Sequence, residues 1–150
     1  MDAAVKKAIH EFMAQKHIAI VGVSRSGKKF SNSIYKELKS DGYHVYAVNP
    51  NAAEVMGDVC YPSVSALPKE VTGIIIVTDP ALTLGIIQEA QKRKIAHVWM
   101  QQGAESDEAV DYCAKNGLPA VHGRCIFMYA RDRQFPHSLH AGIAKLLNHY

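Results

Sequence analysis

The sequence predicts an α/β fold: a doubly wound, mostly parallel sheet of five or six strands with helices on both faces. Several short runs rich in Val and Ile lack polar alternation, which is typical of strands buried on both faces. Helical patterns separate most of these runs, and such alternation indicates parallel strands joined by helical crossovers. With 150 residues, 48% of them hydrophobic, the chain can bury one sizeable core, so we expect a single domain over residues 1–150.

The apolar runs that predict strands are residues 18–23, 44–48, 73–78, 97–100 and 119–121. Residues 59–61 predict a sixth strand at the sheet edge, where the nearby Pro62 is tolerated because an edge position needs no partner for its nitrogen. Right-handed crossovers limit how these strands can be arranged. The predicted order across the sheet is 59–61, 44–48, 18–23, 73–78, 97–100 and 119–121.

The predicted helices carry recognisable start and stop signals. Residues 1–16 predict an amphipathic N-terminal helix, because apolar residues such as Ile9 and Phe12 recur there at helical spacing. A second helical pattern should end near Gly42. Residues 127–150 form a C-terminal extension that carries a last helix. The predicted N-caps of the later helices are Asp79, Ser106 and Ser138.

Composition excludes several classes of protein. The formal net charge is only +3 and no long basic run occurs, so we expect no nucleic-acid partner. No apolar run is long enough to span a membrane, and the N-terminus lacks the continuous apolar core of a secretory signal. Three cysteines without CxxC spacing predict reduced thiols rather than disulfides or a zinc site. These features favour a cytoplasmic protein with no membrane association.

The carboxyl ends of parallel strands lie at one edge of a sheet, and ligands bind where the chain reverses its direction across the sheet. In the predicted order this reversal falls between strands 18–23 and 73–78. The segments that follow these and the neighbouring strands should therefore line one crevice.

The turn after the first strand has the composition of a phosphate-binding loop. Gly22 could let a phosphate approach the backbone, and the helix that follows would offer N–H groups to the anion. Ser24 and Ser26 add hydroxyls, and three cations follow within five residues: Arg25, Lys28 and Lys29. The same residues could instead form a plain turn with a solvated charged face. The loop is not a P-loop, because Lys29 stands where that motif requires Ser or Thr.

Asn49 and Pro50 follow the second strand, where proteins that bind nicotinamide dinucleotides usually have an acid. An Asn can still hydrogen-bond a ribose or adenine, and it removes a carboxylate that would repel a ribose phosphate. This favours NADP or coenzyme A as the ligand. Turn formation by Asn-Pro explains the pair equally well.

Three segments resemble one known family: GVSRSGKKFSNSIYKELKSDGYHVYAVNPN, CYPSVSALPKEVTGIIIVTDP and VWMQQGAESDEAVDYCAKNGLPAVHGRCI. They resemble the stand-alone coenzyme A-binding proteins, which are single Rossmann-like domains similar to the coenzyme A-binding domain of the succinyl-CoA synthetase alpha subunit. The resemblance covers residues 18–126 and leaves the N-terminal helix and the C-terminal extension outside it.

The resemblance implies a set of binding residues for coenzyme A or an acyl-CoA. The turn of Gly22, Val23, Ser24, Arg25 and Lys28 is expected to hold the pyrophosphate. Asn49 and Pro50 are expected at the adenosine end. The wall along the pantetheine arm is expected to consist of Val77, Thr78 and Pro80, with Gln102 and Gly103 near its far end. Cys125 corresponds to the cysteine of the family's R-C-I segment.

These features favour a binding module over an enzyme. The second domain with the phosphorylated histidine of the synthetase has no counterpart here, and none of the eight histidines lies in a recognisable active-site motif. His122 and Cys125 follow the last predicted strand, but a packed or solvent-facing role explains each of them more simply. We therefore expect a carrier, sensor or subunit whose partner is coenzyme A, with a homodimer or another protein as a further partner. The alternative is an NADP-binding oxidoreductase or a nucleotide-sensing domain.

Overall fold

The computed structural model describes residues 2–133 of the chain. Within them a sheet of seven strands has the order β3-β4-β2-β1-β5-β6-β7. All neighbouring strands are parallel except β3, which is antiparallel to β4. The strands are β1 His17–Val21, β2 His44–Val48, β3 Glu54–Val55, β4 Asp58–Tyr61, β5 Gly73–Ile76, β6 His97–Gln101 and β7 Ala120–Arg124.

The helices of the described region are α1 Ala3–Met13, α2 Phe30–Ser40, α3 Pro80–Lys92, α4 Asp107–Lys115 and α5 Phe127–Arg133. The predicted caps of α3 and α4 are confirmed, because the side chains of Asp79 and Ser106 accept hydrogen bonds from backbone N–H groups in the first turn. The predicted cap at Ser138 and its helix lie outside the described residues.

The predicted α/β fold and strand order are confirmed. The strands β1 and β5 each end two residues earlier than predicted, at Val21 and Ile76, and two further differences lie at the sheet edges. The two-residue strand β3 was missed, since so short a segment carries no periodic signal. The last strand continues to Arg124 rather than ending at residue 121, past a register irregularity between Trp99 and Gln101 of β6. His122 is therefore an exposed residue within β7 and not part of the loop that follows a strand.

Side chains of successive strand residues divide between two cores, one on each face of the sheet. The first core holds Ile18 and Ile20 of β1 together with residues of α1, α2 and α5. The second core holds Ala19 and Val21, with residues of α3 and α4. Both faces are thus covered, which explains why the strand runs are apolar without alternation. No helix in the described region is long and apolar enough to cross a membrane.

The N-terminal helix α1 is part of the first core. The ring of Phe12 is 1% exposed and packs edge-on against Trp99 of β6, with ring centroids 5.4 Å apart. The hydroxyl of Tyr43 donates to the carbonyl of Met13 over 2.7 Å, which ties the end of α1 to the segment before β2. The predicted amphipathic helix is confirmed, and its apolar side packs on the domain.

We predict that Phe12→Ala lowers the free energy of unfolding by about 3–5 kcal/mol, because it leaves a cavity against Trp99. Lys7→Ala on the exposed side of α1 is the matched control and should change it by less than about 0.5 kcal/mol. Urea unfolding of both variants measures the difference. Equal stabilities would show that α1 contributes little to the core.

Candidate functional site

Gly22 brings the end of β1 against the end of β5. Its φ of +106° is favourable only for glycine, and a Cβ there would lie 2.5 Å from the carbonyl oxygen of Val77. Its N–H donates to the carbonyl of Val48 over 3.0 Å, so the ends of β1, β2 and β5 meet at this residue. The missing side chain thus allows the strand ends to pack, rather than leaving open space for a phosphate in that direction.

The loop from Ser24 to Lys29 is held together by its own serine hydroxyls. The N–H of Ser26 donates to Oγ of Ser24, and the N–H of Lys28 donates to Oγ of Ser26, each over 3.1 Å. The two hydroxyls are 2.9 Å apart. The two hydroxyls therefore lie side by side at the start of α2, and the N–H groups of Ser26 and Lys28 are already bound to them.

Two buried polar residues of α2 hold this loop in place. Oγ of Ser31 accepts from the N–H of Ser24 over 3.2 Å. The amide of Asn32 accepts from the N–H of Lys29 over 3.0 Å and donates to the carbonyl of Ser24 over 2.8 Å. Ser31 is 4% exposed and Asn32 is 1% exposed. Neither residue was predicted from the sequence, although an Asn three residues after the N-cap Lys29 has the spacing of a capping box.

Positive charge surrounds this loop. Arg25, Lys28 and Lys29 are all exposed, and the helix that follows adds the positive end of its dipole. The guanidinium of Arg25 donates to the carbonyl of Asn51 over 3.3 Å, so it reaches from the β1–α2 loop to the segment after β2. The N–H of Asn32 donates to the carbonyl of the N-cap Lys29 over 3.0 Å, so the N–H groups of Phe30 and Ser31 are the ones left without intrahelical partners at the start of α2.

The side chain of Asn49 also links the β1–α2 loop to the segment after β2. Its side-chain amide donates to the carbonyl of Val23 over 2.9 Å and accepts from the N–H of Asn51 over 2.8 Å. It therefore has a turn-forming role, which is one of the two roles that the sequence left open for Asn-Pro. The side chain of Val23 is fully buried in the core, so this residue can meet a ligand only through its backbone. Pro50 is exposed beside Asn49.

The segment after β5 links the two halves of the strand-end edge. Val77 and Thr78 are half-buried, and Pro80 is exposed at the first position of α3. The hydroxyl of Thr78 lies 3.5 Å from that of Thr83, which donates to the carbonyl of Ala104 over 2.6 Å. A chain of polar contacts thus runs from β5 through α3 to the loop after β6.

The loop after β6 holds the other half of the predicted site. Gln102 and Gly103 are exposed, and the N–H of Gln102 donates to the carbonyl of Arg124 over 3.2 Å. The carboxylate of Glu105, which the sequence analysis missed, accepts from the N–H of Gly103 at 3.2 Å and of Gly123 at 3.3 Å. This carboxylate holds the ends of β6 and β7 together.

Cys125 lies directly after β7 and is half-buried. Its sulfur accepts from the side-chain amide of Gln101 over 3.0 Å, and the oxygen of that amide accepts from the N–H of Ile126. The other two cysteines are buried free thiols, and burial raises the pKa of Cys60 and raises the pKa of Cys113 to about 11. Among the described residues no three His, Cys, Asp or Glu side chains form a group that could hold a metal ion.

Helix α5, at the start of the predicted C-terminal extension, returns toward the loop after β1. The ring of Phe127 packs edge-on against Phe30, the first residue of α2, with centroids 5.1 Å apart. The hydroxyl of Tyr129 accepts from the guanidinium of Arg124 over 3.3 Å. The beginning of the extension is therefore next to the serine-rich loop.

We predict that Asn32→Ala loosens this loop, because Lys29 N–H and the carbonyl of Ser24 each lose a buried partner, at about 1–3 kcal/mol. Ser33→Ala, one position along on the exposed side of α2, is the control. Amide hydrogen exchange should accelerate at residues 24–29 in the first variant and stay at the wild-type rate in the second. Unchanged protection in Asn32→Ala would contradict this role.

Solved structures of several proteins are similar to this one. A conserved hypothetical protein from Pyrococcus furiosus matches with a TM-score of 0.71 and 41% identity, over 74% of this chain and 96% of that chain. A hypothetical protein from Pyrococcus horikoshii matches with a TM-score of 0.77 and 32% identity, over 86% of this chain and 90% of that one. These relatives are small stand-alone domains.

A curated relative is much longer. The chain is 36% identical over 123 residues to acetate–CoA ligase [ADP-forming] I of Archaeoglobus fulgidus, a match covering 75% of this chain and 18% of the ligase. The chain thus spans less than a fifth of that protein. The family described as the CoA binding domain matches residues 16–131, which extends beyond the expected limit of residue 126 into α5. Because this match covers most of the chain, the protein belongs to the CoA-binding domain family.

Proposed function

We propose that this protein binds coenzyme A or an acyl-CoA at the carboxyl-end edge of its sheet and carries out no chemistry by itself. The observation that carries the proposal is the loop of residues 24–29 before α2, which gathers two serine hydroxyls and three exposed cations. Such a group of donors suits a ligand with several phosphates.

The pyrophosphate would lie on the loop that follows Gly22. Its oxygens would accept from the hydroxyls of Ser24 and Ser26 and from the first N–H groups of α2, with Lys28 alongside. The buried contacts of Asn32 hold these donors in one arrangement, so less freedom is lost when the ligand binds. We therefore assign the phosphate-binding role to the loop as a unit rather than to Gly22.

The adenosine would lie beside Asn49 and Pro50, and its ribose phosphate would lie near Arg25. The contact between Arg25 and the carbonyl of Asn51 supports this assignment, because it places a guanidinium next to the segment after β2. A guanidinium has five N–H donors, so several remain for a phosphate while one contacts that carbonyl. A carboxylate at position 49 would oppose this phosphate, and Asn49 does not.

The pantetheine arm would run from this loop along the ends of the next strands. Val77, Thr78 and Pro80 offer a mixed apolar and hydroxyl wall, and the contacts through Thr83 lead on to the loop after β6. Gln102 and Gly103 are exposed there. The thiol or acyl end would then lie toward Cys125, whose sulfur is oriented by Gln101.

The proposed role is that of a carrier, a sensor or a subunit in the cytoplasm. The chain spans 18% of the ligase that it resembles, so any ligase chemistry would need groups beyond those described here. Cys125 and the exposed His122 are the reactive side chains near this edge, and no contact joins them as an acid–base or nucleophile–base pair in the described region.

We predict that the double substitution of Ser24 and Lys28 by Ala weakens coenzyme A binding by roughly tenfold or more, since it removes a hydroxyl and a cation from the phosphates. Ser33 and Lys36, both exposed on α2, provide the matched double control with the same residue types. Isothermal titration calorimetry measures both, and thermal unfolding verifies that the variants fold. Equal affinity of the Ser24 and Lys28 double variant and the wild type for coenzyme A would show that this loop does not bind the ligand's phosphates.

A second prediction concerns the ribose phosphate. The wild-type protein should bind 3′-dephospho-coenzyme A roughly tenfold more weakly than coenzyme A at low salt, because a charge-assisted contact is lost. In Arg25→Ala the two ligands should bind with nearly the same affinity, whereas Lys36→Ala should keep the difference. If the wild type itself binds both ligands equally, Arg25 does not recognise this phosphate. Titration with NADP in the same series tests the alternative ligand.

A further inference from the structure

The β3–β4 hairpin closes with a turn that does not suit its first residue. Val55 pairs with Asp58, so the turn consists of Met56 and Gly57 alone. Their φ angles are 52° and 83°. Two-residue hairpin turns with both φ angles positive favour Asn or Gly at the first position. A Met side chain makes this left-handed conformation unfavourable, so its presence calls for a compensating contact.

The side chain of Met56 supplies that contact. Its sulfur accepts from the side-chain amide of Asn32 over 3.8 Å, the same amide that donates to the carbonyl of Ser24. Its Cγ lies 3.6 Å from the point that a Cβ on Gly27 would occupy, so the side chain faces the loop at Gly27. Met56 thus contacts the buried residue that shapes the loop of residues 24–29 and lies next to the loop at Gly27.

The second non-glycine residue with a positive φ in the described region differs in its surroundings. Lys94, with φ of 60°, is exposed just after the end of α3, where the left-handed conformation commonly ends a helix. The helix end thus explains the left-handed conformation of Lys94. The hairpin does not explain the left-handed conformation of Met56, because Asn would be more favourable at that position of the turn.

We propose that Met56 is a positioning residue for the ligand phosphates: its thioether couples the β3–β4 hairpin to the loop of residues 24–29 and holds that loop in its binding arrangement. The inference rests on the proposed coenzyme A function and adds the hairpin to the site. Asn32 holds the loop from the helix side, and Met56 contacts Asn32 beside Gly27 from the hairpin side. This contact compensates for the unfavourable turn conformation at Met56.

The proposal predicts that stability and affinity change in different ways at position 56. Met56→Asn and Met56→Gly suit the turn better but lose the thioether. Their gain in turn conformation offsets the lost packing, so the melting temperature should stay within about 4 °C of the wild type. Coenzyme A binding should weaken roughly tenfold in both. Met56→Leu keeps the bulk without the sulfur and should bind with an intermediate affinity.

Two controls separate this role from a general effect on the fold. Lys94→Gly relieves the other left-handed residue and should leave affinity unchanged. Val59→Ala removes an exposed side chain, 63% accessible, from the same hairpin and should also leave it unchanged. Amide hydrogen exchange gives a readout that needs no ligand, since residues 24–29 should exchange faster in Met56→Asn and Met56→Gly and at the wild-type rate in the two controls.

Titration calorimetry, thermal unfolding and hydrogen exchange on the variants at position 56 and the two controls test the positioning role of Met56. Weaker binding and faster loop exchange in Met56→Asn and Met56→Gly, with nearly unchanged melting temperatures, support the proposal. Wild-type affinity and loop protection in both variants overturn it and leave Met56 a half-buried residue that packs against the first core, while the proposed function stands. A wild-type protein that fails to bind coenzyme A overturns the proposed function and this inference together.

Discussion

The site depends on one close approach between backbones: the end of β1 lies so near the end of β5 that only glycine fits at position 22. A Cβ there would lie 2.5 Å from the carbonyl oxygen of Val77, and the φ of +106° already disfavours other residues. This contact occurs where the chain reverses its direction across the sheet, between β1 and β5. It fixes where the chain leaves β1, and so fixes the starting point of the serine-rich loop and of α2.

From that point, buried side-chain contacts rather than the glycine pattern determine the loop. Ser31 and Asn32 bind three backbone groups of the loop, and both are almost fully buried. Buried hydrogen bonds of this kind are costly to break, because the polar groups left behind have neither a protein partner nor water to bond. A rigid loop with exposed cations is suited to hold a multiply charged ligand, since little of the binding energy is needed to order it.

Much of this could be predicted from the sequence. The apolar runs located the parallel strands, because strands covered on both faces are continuously hydrophobic, and right-handed crossovers limited their order. The caps at Asp79 and Ser106 were predicted from the preference of Asp and Ser for helix N-termini. The position of the crevice, at the carboxyl ends of the strands, was predicted from the fold class.

The residues that could not be predicted act across large sequence separations: Glu105 accepts from Gly123, and Asn32 donates to Met56. The hairpin of β3 was missed because two residues show no pattern, and its Met-Gly turn differs from the usual Asn-Gly. The assignment of binding roles to the strand-end residues remains a prediction.

The central claim is that the strand-end edge binds coenzyme A, and native mass spectrometry tests it most directly. The purified protein would be incubated with equal amounts of coenzyme A and NADP, sprayed under native conditions, and then denatured to identify the released molecule. The account predicts a complex with one coenzyme A per chain. A complex with NADP alone, or no complex with either ligand, would contradict it.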